Sequence, residues 1–212
     1  MSVSVTAACS SDNGGGDFDK ALLDYEAAIT PEAQAYAEAA ATEHLAALSR
    51  VGETGVHKNA TQAGLAAIDA IKGRISPSVQ AICVHRAPLE EKARNDAERF
   101  RNLQRVSDSV LIDSTASALV GKVLAGPADM RDSLLDLLGV QATSPNNEPL
   151  RGVAALQAVK LVDASGQFTI PKLGTDAHDD YDSWLRDQAT DLRGTIAVLT
   201  GSLRDQIDPC PS

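Results

Sequence analysis

The residues best suited to chemistry lie in the acidic segment from Asp176 to Asp182, which also contains His178. His178 and Asp182 are spaced i, i+4, so on a helix their side chains share one face and could bind a divalent metal ion together. Two ligands do not complete a metal site, and acidic residues in a first helical turn also stabilise the helix through its dipole. The pattern therefore indicates either a metal site or the ordinary acidic start of a helix, and no cofactor is predicted.

The three cysteines offer a second kind of chemistry. Cys9 lies near the N-terminus, and Cys210 lies two residues from the C-terminus between Pro209 and Pro211. None of them belongs to a Cys-x-x-Cys pair, so a zinc site is not predicted. The prolines hold the tail extended, where Cys210 could reach Cys83 on a neighbouring helix. We predict a Cys83–Cys210 disulfide, which fits an oxidising compartment; the alternative is two free thiols.

Cys9 lies in a distinctive setting. The small residues Thr6-Ala7-Ala8 precede it, and Ser10 to Gly16 follow with no apolar residue and three consecutive glycines, which is typical of a flexible tether. This short segment resembles the processing site of bacterial lipoproteins, in which small residues precede a cysteine that receives diacylglycerol on its sulfur. The resemblance implies a lipid on Cys9, an anchor in the membrane and a location outside the cytoplasm. It implies nothing about the folded domain.

Two features depart from the lipoprotein pattern. Thr6 stands where that family usually has an aliphatic residue, and the eight residues before Cys9 contain neither a basic start nor an apolar run. We expect the translation start to lie upstream, with Ser2 to Val5 as the end of a longer signal sequence. If no signal sequence precedes Met1, the alternative is a cytoplasmic protein with a disordered N-terminus.

Other functional classes are disfavoured. The chain contains no Gly-x-Ser-x-Gly, no phosphate-binding glycine loop and no His-Glu-x-x-His, so no catalytic residue is predicted. A net charge of −10, from 29 acidic and 19 basic residues, would repel a phosphate backbone, and we therefore expect no nucleic-acid partner. The stretch from Arg86 to Arg105 mixes basic with acidic residues. We interpret it as a solvent-exposed helix face with weak ion pairs, with a small anion-binding groove as the alternative.

The elements that position these residues are predicted to be helices. The chain is rich in alanine and only 3% aromatic, a composition that favours helix over sheet. We predict an all-α fold, an elongated multi-helix bundle with negligible strand. Residues 1–16 are predicted to be a flexible tether and residues 17–212 a single helical domain, which at this size can bury a hydrophobic core.

Apolar residues at helical spacing mark the individual helices. A first helix is predicted from Asp17 to Ile29, and a second is predicted to start at Thr30-Pro31, where a capping residue precedes a proline. A long central helix is predicted at about 88–125. Residues 140–149 are expected to form a surface loop, and residues 166–174 are the candidate for extended structure.

The sequence thus predicts a cell-envelope lipoprotein with a helical binding or structural domain. Its partners would be the membrane, reached through the lipid on Cys9, and a protein that the sequence does not identify. One alternative is a metal-binding protein or enzyme that uses the helix start near His178. The other is a cytoplasmic helical interaction protein in which Cys9 carries no lipid.

Overall fold

A computed structural model describes residues 14–54, 60–187, 190–208 and 210 of the protein. Cys9 and most of the predicted tether lie outside these residues, whereas Gly14 to Gly16 belong to the first helix. The elements in chain order are α1 (Gly14–Thr54), α2 (Ala60–Ile71), α3 (Ser76–Ala93), α4 (Ala97–Leu124), α5 (Ala128–Leu137), β1 (Gln141–Thr143), β2 (Pro149–Arg151), α6 (Gly152–Ala158), α7 (Asp176–Asp187) and α8 (Thr190–Ile207). The all-α prediction is confirmed.

The helices form a bundle around α1 and α4, the two longest. Helix α1 packs against α2, α3 and α4, and α8 closes the bundle by packing against α2, α3 and α4. Helices α5 and α6 pack with the β1–β2 hairpin beyond the end of α4. Buried or partly buried side chains from all of these elements belong to one hydrophobic cluster or pack against it.

The prediction that a helix ends at Thr30-Pro31 is wrong, because α1 runs through both residues. Proline inside a helix removes a backbone donor and costs about 3 kcal/mol. The buried stripe nevertheless continues on both sides of Pro31, with Tyr25 and Ile29 before it and Tyr36 after it. Each such side chain contributes about 1.5–3 kcal/mol when it is buried, so packing against the bundle outweighs the cost of the proline.

Helix α4 is the predicted central helix, but it begins at Ala97 rather than near Pro88. Helix α3 continues past Pro88 to Ala93, and the chain then turns before α4. The turn is stabilised by Asp96, whose side chain accepts hydrogen bonds from the backbone N–H groups of Glu98 (3.0 Å) and Arg99 (3.1 Å). An aspartate N-cap of this kind favours a new helix start over a continuous helix.

The extended structure lies elsewhere than predicted. Among the described residues, the single sheet is the antiparallel pair β1–β2, which falls within and just beyond the predicted surface loop 140–149. Asn147, at φ 60°, lies in the turn between the two strands. Residues 166–174 contain no strand, and Phe168 makes only an isolated bridge to Val162.

His44 is a polar residue inside the core. Its side chain is 0% exposed, and neither ring nitrogen has a hydrogen-bond partner among the described residues. A Cβ atom placed on Gly64 would lie 3.7 Å from His44 Nδ1 and 3.7 Å from Thr195 Cγ2, so α1, α2 and α8 meet at this histidine. Burial lowers the pKa of His44 to about 4, although the nearby Ala63 backbone opposes that shift.

None of the helices in the described residues combines the length and the apolar character that a bilayer span requires.

Candidate functional site

His178 lies in the first turn of α7 and is buried against α4. The Thr175 hydroxyl accepts a hydrogen bond from the His178 N–H at 3.2 Å, and Asp176 and Asp179 supply the acidic first turn. His178 is 4% exposed, and its Nε2 lies 3.0 Å from Asp113 Oδ2 on α4. The start of α7 is therefore held on α4 by a partly buried histidine–carboxylate contact.

Ser109 completes a three-residue polar cluster with His178 and Asp113. Its Oγ lies 3.2 Å from Asp113 Oδ2 and 3.4 Å from His178 Nε2. In a serine–histidine–aspartate relay, the serine and the carboxylate contact different nitrogens of the imidazole ring. Here both face Nε2, so the carboxylate occupies the position from which the ring would take a proton from serine. This geometry does not support nucleophilic catalysis by Ser109.

Burial sets the electrostatics of the cluster. It raises the pKa of Asp113, while the contacts with His178 and Ser109 oppose that rise. Burial also raises the pKa of Tyr181 well above its usual value, and the charge of Asp113 adds to the effect. The Tyr181 hydroxyl lies near Asp113 but has no partner in hydrogen-bonding geometry among the described residues. Its ring packs edge-to-face with His178, with centroids 5.4 Å apart.

The two residues of the predicted metal pair have different partners. His178 Nε2 faces Asp113, and Asp182 Oδ2 lies 3.1 Å from Arg186 Nη2. The described part of the chain contains no group of three or more His, Cys, Asp or Glu side chains that could hold a metal ion. Metal binding by His178 and Asp182 stays a prediction, with no third ligand identified.

The sequence did not identify Asp113 or Ser109 as site residues. One signal was available, because Asp113 is a lone carboxylate in the middle of α4, between the buried residues Val110, Leu111, Ser114 and Thr115. A single charge within a buried stretch needs a polar partner on another element. That this partner is His178 could not be predicted, because residues 113 and 178 are far apart in the sequence.

Two grooves flank the His178–Asp113 contact. The α4–α7 groove, of about 410 Å³, is lined by Arg101, Gln104, Arg105, Asp108, Ser109, Ile112, Leu173, Gly174, His178, Asp179 and Asp182. A second groove, of about 230 Å³, lies between α1, α4 and residues 170–173, and Asp113 is on its wall. Ser109 lines both grooves, so the contact stands between two openings on the surface.

The cysteine pair lies at the C-terminal end of α8. The Cα atoms of Cys83 and Cys210 are 5.5 Å apart and their sulfur atoms 2.07 Å apart, so the predicted proximity is confirmed. Beside them, buried Arg86 contacts Glu90 Oε1 at 2.6 Å and Asp208 Oδ1 at 3.3 Å. The end of α8 is thus attached to α3 by the sulfurs and by a buried guanidinium.

Truncating the Asp113 side chain should destabilise the contact between α7 and α4. We expect Asp113→Ala to lower the free energy of unfolding by about 1–3 kcal/mol, because it leaves the buried His178 without its carboxylate partner. Asp113→Asn keeps a polar group in place and removes the desolvated charge, so its effect should stay within about 1 kcal/mol. Urea unfolding at neutral pH measures the free energy of unfolding of both variants. Asp180→Ala, at an exposed position on α7, is the matched control. Equal stabilities for Asp113→Ala and Asp180→Ala would mean that the contact does not stabilise α7.

Comparisons of the chain with family models, with curated proteins and with solved structures found no match. Neither a shared family nor a shared fold therefore assigns a role to the grooves or to the cysteines.

Proposed function

We propose that this protein is a cell-envelope lipoprotein, anchored by a lipid on Cys9, whose helical domain is a binding module outside the cytoplasm. The observation that carries the proposal is the proximity of Cys83 to Cys210, with Cα atoms 5.5 Å apart. A bridge between them would persist in an oxidising compartment and would be rare in a reducing cytoplasm.

The same pairing explains why Cys9 stands alone. The chain has three cysteines, and a bridge between two of them leaves one sulfur for another chemistry. Cys9 follows the small residues Ala7-Ala8 and precedes a Ser/Asp/Gly segment, the setting in which bacterial lipoproteins carry diacylglycerol. Two acyl chains on one sulfur contribute about 0.8 kcal/mol for each buried CH₂ group, which is enough for stable anchoring.

A binding role agrees with the chemistry of the site better than catalysis does. The cluster of Ser109, Asp113 and His178 lacks the arrangement of a proton relay, and the pair His178 and Asp182 lacks a third metal ligand among the described residues. The α4–α7 groove beside this cluster is open, and most of the residues that line it are polar or charged. Small-molecule sites are typically concave surfaces with a few convergent polar groups.

Anchoring can be tested on Cys9 directly. Protein made from its own gene with the upstream codons should sediment with membranes, and its N-terminal peptide should carry a diacylglyceryl group on Cys9. Cys9→Ala should appear in the soluble fraction or remain unprocessed, because it removes the sulfur that accepts the lipid. Ser10→Ala is the matched control and should leave anchoring intact. An unmodified Cys9 thiol in native protein would refute the lipoprotein proposal and favour the cytoplasmic alternative.

A further inference from the structure

The α4–α7 groove carries basic side chains on its α4 wall and acidic side chains on both walls. Arg101 and Arg105 are spaced i, i+4 on α4, so both side chains lie along the same face of that helix. Asp179 and Asp182 line the groove from α7. The volume of about 410 Å³ lies within the range of about 300–1,000 Å³ that is typical of small-molecule sites.

Three of these charges are unpaired. Within the described residues, Arg101, Arg105 and Asp179 make no side-chain ion pair and no side-chain hydrogen bond. The other two carboxylates of the groove form ion pairs with neighbours: Asp108 with Arg204 at 2.7 Å, and Asp182 with Arg186 at 3.1 Å. The groove therefore offers two free guanidinium groups and one free carboxylate to a ligand.

We propose that the α4–α7 groove binds a free acidic amino acid, with its carboxylates on Arg101 and Arg105 and its ammonium group on Asp179. This assignment rests on the proposal that the helical domain is a binding module, and it names the ligand class of that module. A guanidinium group binds a carboxylate through two parallel hydrogen bonds, which favours arginine at such a site.

The numbers of charged groups favour this class of ligand over related classes. An acidic amino acid carries two carboxylates and one ammonium group at neutral pH, which complements the two unpaired cations and the one unpaired anion of the groove. A dicarboxylate without an amine would leave Asp179 facing two further negative charges. A basic amino acid would leave one arginine unpaired and place a second ammonium group beside it. Like charges brought together in this way disfavour the wrong ligand.

The test is a calorimetric titration of the full chain with L-glutamate. The protein carries Cys9→Ser, so its behaviour does not depend on a lipid, and it is purified under oxidising conditions. We expect saturable binding of one L-glutamate per chain. Glutarate and L-lysine should each bind at least about tenfold more weakly, because each lacks one of the three charge-assisted contacts.

Two variants test the two walls of the groove separately. Arg105→Gln should weaken both L-glutamate and glutarate by about tenfold or more, since it removes a carboxylate contact. Asp179→Asn should weaken L-glutamate by a similar factor and leave glutarate as strong as before or stronger. Arg94→Gln and Asp180→Asn change exposed residues outside the groove and should leave both affinities unchanged. Circular dichroism and thermal unfolding check that each variant is folded.

Several outcomes would overturn the assignment. Absence of saturable L-glutamate binding at millimolar concentration is one, and equal binding of L-glutamate and glutarate with no effect of Asp179→Asn is another. The result is independent of anchoring. An unlipidated Cys9 together with specific L-glutamate binding would contradict only the lipoprotein proposal. A lipidated protein that does not bind L-glutamate would contradict only the assignment of an acidic amino acid to the groove.

Discussion

Replacing both Cys83 and Cys210 by alanine should lower the free energy of unfolding by about 4–5 kcal/mol. The two residues are 127 positions apart in the chain, and a cross-link over a loop of that length removes much of the conformational entropy of the unfolded state. Alanine is the suitable replacement because Cys83 is buried, so a serine hydroxyl there would add a desolvation cost of its own. Urea unfolding of the oxidised protein and of the double variant gives the difference.

The controls for this prediction come from the same chain. Reduced wild-type protein should unfold like the double variant, and Cys83→Ala alone should lose as much stability as both changes together. Cys9→Ala should leave the urea midpoint of the unlipidated protein unchanged. Alkylation of oxidised native protein that reveals free thiols at Cys83 and Cys210 would contradict the bridge.

Acid should destabilise the protein through His44, by an amount on the order of 3 kcal/mol. The pKa of this residue is lowered from 6.5 to about 4 in the folded state, because burial disfavours the charged ring. The unfolded chain therefore binds a proton at a higher pH than the folded chain does. The stability associated with the neutral ring is fully present above pH 6.5 and is lost as the pH falls from about 6.5 to about 4.

The measurement compares urea unfolding at pH 7 and pH 4.5 for wild type and for His44→Leu. Leucine fills a similar space and cannot be protonated, so the variant should lose clearly less stability than wild type between the two pH values. His85→Gln is the matched control, since His85 is exposed on α3, and it should keep the wild-type pH dependence. If wild type and His44→Leu lose the same amount, His44 is not the residue that couples folding to pH.

The general architecture followed from local signals, but two helix boundaries did not. Alanine content and apolar spacing were sufficient to predict an all-α fold with a long central helix. Pro31 and Pro88 carry the same local signal, and both lie inside helices because tertiary burial outweighs it. The turn before α4 depends instead on Asp96, whose capping bonds form only when the two helices diverge. Propensity alone does not rank these competing effects.

The candidate site was predictable only in part, for a related reason. His178 was identified by its residue type and its acidic neighbours, and Cys83 and Cys210 by counting cysteines. Asp113 was missed because its role depends on the packing of α7 against α4, which no local pattern encodes. Spacing within one helix suggested Asp182 as the partner of His178, whereas the folded chain brings it a carboxylate from another helix. Contacts between distant parts of a chain are set by the bundle as a whole.

The cysteine pair also determines how the molecule would respond to a protease. Residues 83 to 210 form a covalent ring when the sulfurs are joined, and the ring contains α4 to α8 together with the exposed turn at 145–148. A single cut in that turn would leave both fragments on one molecule, which would migrate as an intact chain until a reductant separated them. Helices α1 and α2 lie outside the ring. For an anchored protein, a cut between α1 and Cys83 would leave the ring attached only by noncovalent packing against the helices outside it, while a cut within the ring would leave its covalent connection to the anchor intact.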